Sequence, residues 1–298
     1  TNKLLPFLPM PLIQILLGIG IGLCLPNNQY HLDTELFLAL VIGPLLFREA
    51  QEADITSILK HWRIVLYLIF PVIFVSALSM GGLAHVLWAS LPLAACVAVG
   101  AALGPTDLVA FASLSQRFSF PKRVSNILKG EGLLNDASGL VAFRMALIAW
   151  TTGTFSLTQA GTSLAISIVG GFAVGLITAL INRFLHTFLL SVRATDIASE
   201  LLLELSLPLL TFFIAEEIHV SGIIAVVVAG ILKASRFKKI NLLEAQVDTV
   251  TETVWHTVTF MLNGSVFVIL GMELEMIAEP ILKSAFYNKV LLLLSVFL

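Results

Sequence analysis

The sequence predicts an all-α integral membrane protein with about ten transmembrane helices. Of its 298 residues, 58% are hydrophobic and 12% are charged, and the mean hydropathy is +0.97. Soluble domains carry about 25% charged residues, so half that share in so apolar a chain indicates a lipid environment. Each span needs about 20 apolar residues, and the chain is long enough for roughly ten of them. The apolar stretches are continuous, whereas the strands of a membrane barrel alternate in polarity.

The apolar segments give the expected spans in order. They lie at about 4–26, 35–49, 62–84, 91–114, 126–150, 161–185, 197–215, 219–234 and 252–272, and a tenth begins near residue 281. We expect a single transmembrane domain over 1–298 that is truncated at both ends, because the chain starts at Thr1 without an initiator Met and stops at Leu298 inside an apolar run. The net charge of −2 and the lack of a basic stripe give no sign of nucleic-acid binding.

Basic residues follow an alternating pattern along these spans. One set of predicted loops contains basic residues: Arg48, Lys60, Arg63, Arg117, Lys122, Arg123, Lys129, Arg183, Arg193, Lys233, Arg236, Lys238 and Lys239. The alternate loops at 27–34, 85–90, 151–160 and 216–218 contain no Lys or Arg, and only the last loop, with Lys283 and Lys289, breaks the pattern. By the positive-inside rule, the basic set of loops is predicted to be cytoplasmic.

A proline interrupts the span at 91–114. In the run Gly104-Pro105-Thr106-Asp107, the proline removes a backbone donor and clashes with the preceding helical turn. A broken helix exposes carbonyl and amide groups, which are tolerated at membrane depth only where they line a cavity or bind a ligand. Carbonyl, hydroxyl and carboxylate oxygens are the hard ligands that a small alkali cation requires. The break is therefore a candidate ion site.

Three acids are predicted to lie at membrane depth: Asp107, Glu131 and Asp136. Asp136 is about ten residues from the cytoplasmic start of its span, or roughly 15 Å at 1.5 Å per residue, which is the middle of a core about 30 Å thick. Asp107 is about 12 Å deep by the same measure. A charge at such depth costs at least a few kcal/mol, so each acid is a functional candidate.

The surroundings of Asp136 strengthen its candidacy. Glu131 and Asn135 are one helical turn apart on one face, and Asp136 is adjacent to Asn135. The alternative interpretation is that the acids only pair with buried bases such as Arg144.

Other acids are weaker candidates. Glu200 and Glu204 are one turn apart near the cytoplasmic end of the span 197–215, where we expect them to face an aqueous entrance or a base. Glu216 and Glu217 lie at the outer tip of a hairpin, where solvated acids are common.

Several segments resemble a family of transporters. The runs GAALGPTDLVAF (100–111) and KGEGLLNDASGLVAF (129–143) resemble the prokaryotic sodium(cation)/proton antiporters of the first monovalent cation:proton antiporter family. The runs GPLLFREA (43–50), HVSGIIAVVVAGI (219–231) and FMLNGSVFVILGMEL (260–274) look like further segments of that family. The resemblance therefore extends over nearly the whole chain.

This resemblance implies an inverted-repeat antiporter fold and gives roles to the matching residues. Asp136 would be the carrier of cation and proton, and Asn135 its neighbour in an Asn-Asp motif. Thr106 and Asp107 would form the unwound crossing, so that Asp136 and Thr106 bind the alkali cation. The supporting positions would be the structural acid Glu131 together with Gly132 and Pro105.

The resemblance also implies a function. The chain would be a secondary active transporter that exchanges sodium or another alkali cation for protons, one for one and without net charge movement, through a core at about 91–150 and 197–272. It would be a multi-pass homodimer of the plasma membrane, not an enzyme, and would use no cofactor beyond the transported Na⁺, Li⁺ or K⁺ and H⁺. The resemblance gives no role to Arg48 or Arg144.

Two alternatives come from other functional classes. Two transmembrane aspartates could form the dyad of an intramembrane aspartyl protease. Such proteases carry Gly-x-Gly-Asp, whereas this chain has Gly-Pro-Thr-Asp at 104–107 and Leu-Leu-Asn-Asp at 133–136. A cation channel would need a repeated filter of carbonyls or charged rings, and the sequence shows no such repeat.

Overall fold

A computed structural model describes residues 10–24, 33–53, 60, 62–106, 120–153, 157–192, 196–234 and 242–283, apart from some side chains within the helices. The described residues form helices and turns and contain no β-strand. The predicted all-α class is therefore confirmed for this part of the chain.

The described residues contain the following helices, in chain order. They are α1 (Met10–Cys24), α2 (Thr34–Phe37), α3 (Gly43–Glu52), α4 (Trp62–Tyr67), α5 (Ile73–Leu87), α6 (Leu93–Ala102), α7 (Lys122–Thr152), α8 (Leu157–Ser191), α9 (Ile197–Glu217), α10 (Gly222–Ala234) and α11 (Leu242–Lys283). The π-helical turns Leu38–Ile42 and Leu68–Val72 join α2 to α3 and α4 to α5. Each of the first nine predicted spans thus contains helical structure among its described residues, while most of the tenth lies outside them.

Several helices are longer than their apolar segments. α7, α8 and α11 contain 31, 35 and 42 residues, whereas about 20 residues cross the hydrocarbon core. The charge pattern places Arg48, Arg183 and Lys233 in loops, but they lie in α3, α8 and α10, because these helices include the basic residues near the ends of the apolar segments. Within the described residues, three stretches are long and apolar enough to cross a membrane: Ala165–Leu189, Ile197–Glu217 and Thr249–Leu274.

One compact unit comprises residues 1–45 and 242–298. In this unit α1 packs along α11. A Cβ atom on Gly18 would collide with the Val268 carbonyl oxygen, and one on Gly271 would collide with that of Ile15. Glycine therefore permits the two backbones to approach closely, as small residues do between membrane helices.

A second compact unit comprises residues 46–241 and contains the candidate site. Here α6 packs against α5 and α7, and α8, α9 and α10 pack against one another. Small residues form the contact of α6 with α5 and α7, where Ala77, Ala101 and Ala142 are buried together. The turn between α9 and α10 contains His219, whose φ of 58° is left-handed. His219 and the next residue donate backbone hydrogen bonds to the last turn of α9, which ends the helix there.

Candidate ion-binding site

The site starts where α6 ends. α6 stops at Ala102, and the backbone N–H of Gly104 bonds to the Ala101 carbonyl at 3.4 Å, which is a turn and not an α-helical bond. Pro105 follows and offers no N–H. The predicted helix break at Gly104-Pro105 is confirmed as far as Thr106; Asp107 lies outside the described residues.

A glycine on α7 lets this break approach the neighbouring helix. A Cβ atom on Gly139 would overlap the Pro105 ring, lying 3.1 Å from Cδ and closer still to Cγ. Only a residue without a side chain fits at that point. The sequence around Gly139 does not predict this contact, because no local pattern indicates which helix packs beside Gly139.

Three of the predicted site residues come together at this contact. Thr106 Oγ1 donates to Glu131 Oε2 at 2.9 Å. Asn135 Nδ2 donates to Thr106 Oγ1 and to Glu131 Oε1, each at 2.8 Å. Glu131 is 7% exposed and Asn135 is fully buried. The spacing that predicted Glu131 and Asn135 on one face of α7 therefore agrees with the structure.

The orientation of the Asn135 amide follows from its partners. The Glu131 carboxylate oxygens only accept hydrogen bonds when ionised, and the Thr106 hydroxyl uses its proton toward Glu131. Both groups therefore require the amide nitrogen on their side. Asn135 Oδ1 points away from them, is buried, and has no hydrogen-bond partner among the described residues.

A buried amide oxygen without a donor is costly, by about 1–3 kcal/mol. Such an atom in a native protein calls for an explanation, and a bound ion is one of the few available. An amide carbonyl is also a hard oxygen ligand that suits an alkali cation. The donor set at this break therefore fits the cation site that the sequence predicts.

The other predicted residues lie around this network. Asp136 follows Asn135 directly in α7, but its side chain lies outside the described part of the structure. Gly132 is buried on α7. Arg144 is exposed, and no salt bridge links a base to Glu131 within the described residues. Pairing with Arg144 is therefore not the reason that Glu131 is buried.

A second buried polar cluster lies in the same unit, around the weaker candidate Glu204. Glu204 Oε2 forms a salt bridge with Lys233 Nζ at 2.9 Å. Gln51 Nε2 donates to Glu204 Oε1 at 2.6 Å, and Lys233 Nζ also donates to Asn182 Oδ1 at 3.0 Å. We refer to Gln51, Asn182, Glu204 and Lys233 as the lysine cluster.

Glu200 and Glu204, which we expect to face an aqueous entrance or a base, each contact a basic side chain. Beside the lysine cluster, His186 Nε2 contacts Glu200 Oε1 at 2.7 Å. A periodic signal exists in hindsight: Asn182 and His186 are four residues apart, as are Glu200 and Glu204. Which helices meet could not be derived from that spacing. At the other end of α9, Glu216 caps α10, because its carboxylate accepts from the Gly222 N–H at 3.2 Å.

Comparison with known proteins agrees with this picture. The profile described as "Sodium/hydrogen exchanger, transmembrane" matches residues 2–298. The chain is 36% identical over 287 residues to the "Sodium, potassium, lithium and rubidium/H(+) antiporter" of Bacillus pumilus, covering 96% of this chain and 43% of that protein. It is 38% identical over 275 residues to the protein of the same name from Bacillus subtilis, covering 92% and 41%. The chain thus spans less than half the length of these relatives.

A solved structure shares the fold. The sodium proton antiporter MjNhaP1 from Methanocaldococcus jannaschii superposes with a TM-score of 0.65 over 91% of this chain and 65% of that one, at 19% identity. This likeness confirms the predicted fold class, and the profile match confirms the resemblance found in the sequence. The chain belongs to the sodium/hydrogen exchanger family of transmembrane proteins.

Proposed function

We propose that this chain is the ion-translocating part of a transporter that exchanges sodium or another alkali cation for protons across the cell membrane. The relatives from Bacillus are named as antiporters of sodium, potassium, lithium and rubidium against protons. Exchange of an alkali cation for a proton needs a membrane-embedded carboxylate that binds the two in turn. The exchange involves no enzymatic step. A homodimer is part of the proposal by analogy with the family.

The unpartnered Asn135 Oδ1 is the observation that carries this proposal. It is a buried oxygen next to Asp136 in the chain and beside the broken end of α6. The backbone of the break lies beside this oxygen, since Asn135 Nδ2 also contacts the Thr106 carbonyl at 3.4 Å. Asp107, Thr106 and Asp136 complete the set of proposed oxygen ligands.

The exchange itself needs only one carboxylate. At the depth predicted for Asp136, a carboxylate is stable when it is protonated or when a cation lies beside it, but not as a bare anion. Proton and cation therefore compete for it. Movement of the site between two openings of the protein would release one ion on each side of the membrane.

The neighbouring groups favour exchange without net charge movement. Asn135 is neutral and cannot release a proton. Each oxygen of Glu131 accepts one hydrogen bond, as an ionised carboxylate does. We propose that Glu131 keeps its charge throughout the cycle, so that one proton is exchanged for each monovalent cation.

The test is Asp136→Asn in the full-length protein, reconstituted in proteoliposomes. We expect sodium-dependent proton movement to be lost while membrane insertion is retained. The matched control is Glu217→Gln, an acid-to-amide change at an exposed position of α9, which should exchange at the wild-type rate. Exchange by Asp136→Asn at that rate would refute the site. With valinomycin and potassium clamping the voltage, wild-type exchange should not depend on the imposed potential.

A further inference from the structure

The lysine cluster encloses one carboxylate with groups from three other helices. Glu204 lies on α9 and is 7% exposed. One of its oxygens accepts from Gln51 on α3 and the other is paired with Lys233 on α10. The Lys233 ammonium in turn donates to Asn182 on α8. Both members of the ion pair thus have their hydrogen-bonding capacity used by groups of the right kind.

Lys233 lies in the last turn of α10, where a positive charge interacts favourably with the helix dipole. Glu204 lies beyond the first turn of α9, so its charge is balanced by Lys233 and not by the N-terminus of that helix. Two further titratable groups adjoin the cluster: Arg48 donates to Gln51 Oε1 at 3.4 Å and pairs with Glu52, and His186 contacts Glu200.

A glycine on α10 lets α3 and α10 pack closely beside the lysine cluster. A Cβ atom on Gly230 of α10 would lie 2.6 Å from the Phe47 carbonyl oxygen and 2.8 Å from Ala50 Cβ on α3. Gln51 and Lys233 lie about one turn further along their helices from this contact. The close approach of α3 to α10 therefore brings Gln51 within reach of the carboxylate that Lys233 pairs.

We propose that Lys233 is a fixed counter-cation that keeps Glu204 ionised and out of the exchange cycle. Without Lys233, the Glu204 carboxylate would keep one hydrogen-bond donor, Gln51, whereas Glu131 has two, and burial would favour the protonated form of Glu204. It would then be a second titrating acid in a protein that, under the proposed function, exchanges through one. Lys233 is in this sense a residue that determines how many acids titrate during exchange.

The experiment compares three variants of the full-length protein in proteoliposomes. Lys233→Gln removes the charge and keeps a hydrogen-bond donor, Lys233→Arg keeps the charge, and Lys233→Gln/Glu204→Gln removes both charges. The rate of sodium-dependent exchange is measured against pH. We expect Lys233→Gln to move the pH of half-maximal exchange by about half a unit or more, because a new protonation equilibrium appears. We expect Lys233→Arg and the double variant to keep the wild-type profile.

The shape of the profile separates this role from helix packing alone. A cluster that only holds the helices together would lower the rate by the same factor at every pH in Lys233→Gln, which would overturn the proposal. A changed profile in the double variant would also overturn it, since Glu204 would then take part in the normal cycle. If Lys233→Gln does not reach the membrane, the pH profile of the double variant alone tests the proposal. Failure of the proposed function is a separate outcome, because wild-type protein would then show no exchange or Asp136→Asn would retain it.

Discussion

The hydroxyl of Thr106 is the link between the broken end of α6 and the polar face of α7, and its removal gives a graded test of the site. Thr106→Val keeps the shape of the side chain but loses the donor to Glu131 Oε2 and the acceptor for Asn135 Nδ2. A hydrogen bond to a charged group contributes about 1.5–3 kcal/mol and a neutral one about 0.5–1.5 kcal/mol. Thr106 itself is exposed, so we take the lower end of the sum, about 2 kcal/mol.

A loss of about 2 kcal/mol in the binding-competent arrangement corresponds to roughly a 30-fold weaker apparent affinity. We therefore expect the sodium concentration for half-maximal exchange to rise by about that factor in Thr106→Val. Thr106→Ser retains the hydroxyl and should stay within about threefold of wild type, since only a methyl group is lost. The assay is initial-rate exchange in proteoliposomes over a range of sodium concentrations. Equal values for the valine and serine variants would show that the hydroxyl has no part in the transporting state.

Two further predictions concern the packing of α7 and the start of α9. Gly139→Ala should reduce exchange and cost about 1–3 kcal/mol of stability, because the added methyl meets the Pro105 ring; Gly82→Ala, where a Cβ meets nothing within 4 Å, should be neutral or slightly stabilising. Comparable thermal unfolding of the two variants in detergent would contradict the close contact. Hydrogen bonds from the Ser199 side chain and backbone hold the pKa of Asp196 below its ordinary value. The cap of α9 should therefore be intact above that ordinary value and weaken only as the pH falls through the lowered pKa. Asp196→Ala should lower the unfolding temperature more than Asp196→Asn, which can still accept from the Ser199 N–H. Equal losses in the alanine and asparagine variants would show that charge, not capping, is the main contribution.

The parts of the site that the sequence predicts correctly are those set by local rules. Pro105 cannot continue a helix, so the end of α6 follows from its position. Glu131 and Asn135 are four residues apart, so their contact follows from helical geometry. Both rules act within a few residues of the chain, and both held.

The parts that the sequence does not predict depend on which helices become neighbours. Gln51 and Glu204 are 153 residues apart in sequence and form a hydrogen bond of 2.6 Å. Lys233 looked like a loop residue because basic residues cluster beyond the ends of spans, yet it lies in the last turn of α10 and its side chain is only 13% exposed. No periodicity of one helix encodes its partner, so such a pair is visible only after folding.

The two buried glutamates of the second unit show why one location is suited to a mobile cation and the other is not. Glu204 has an ammonium at 2.9 Å, so its charge is already balanced by the chain itself. Glu131 receives hydrogen bonds from a hydroxyl and an amide, which are neutral, and within the described residues no base is paired with it. A buried negative charge without a counter-charge is unfavourable, so a positive ion that reaches the break in α6 lowers the energy of the site. The lysine cluster offers no such gain, because a free cation would have to displace Lys233. Under the proposed function, the same residue type would therefore attract an exchangeable ion in one place and exclude it in the other, because its partners are neutral in one place and charged in the other.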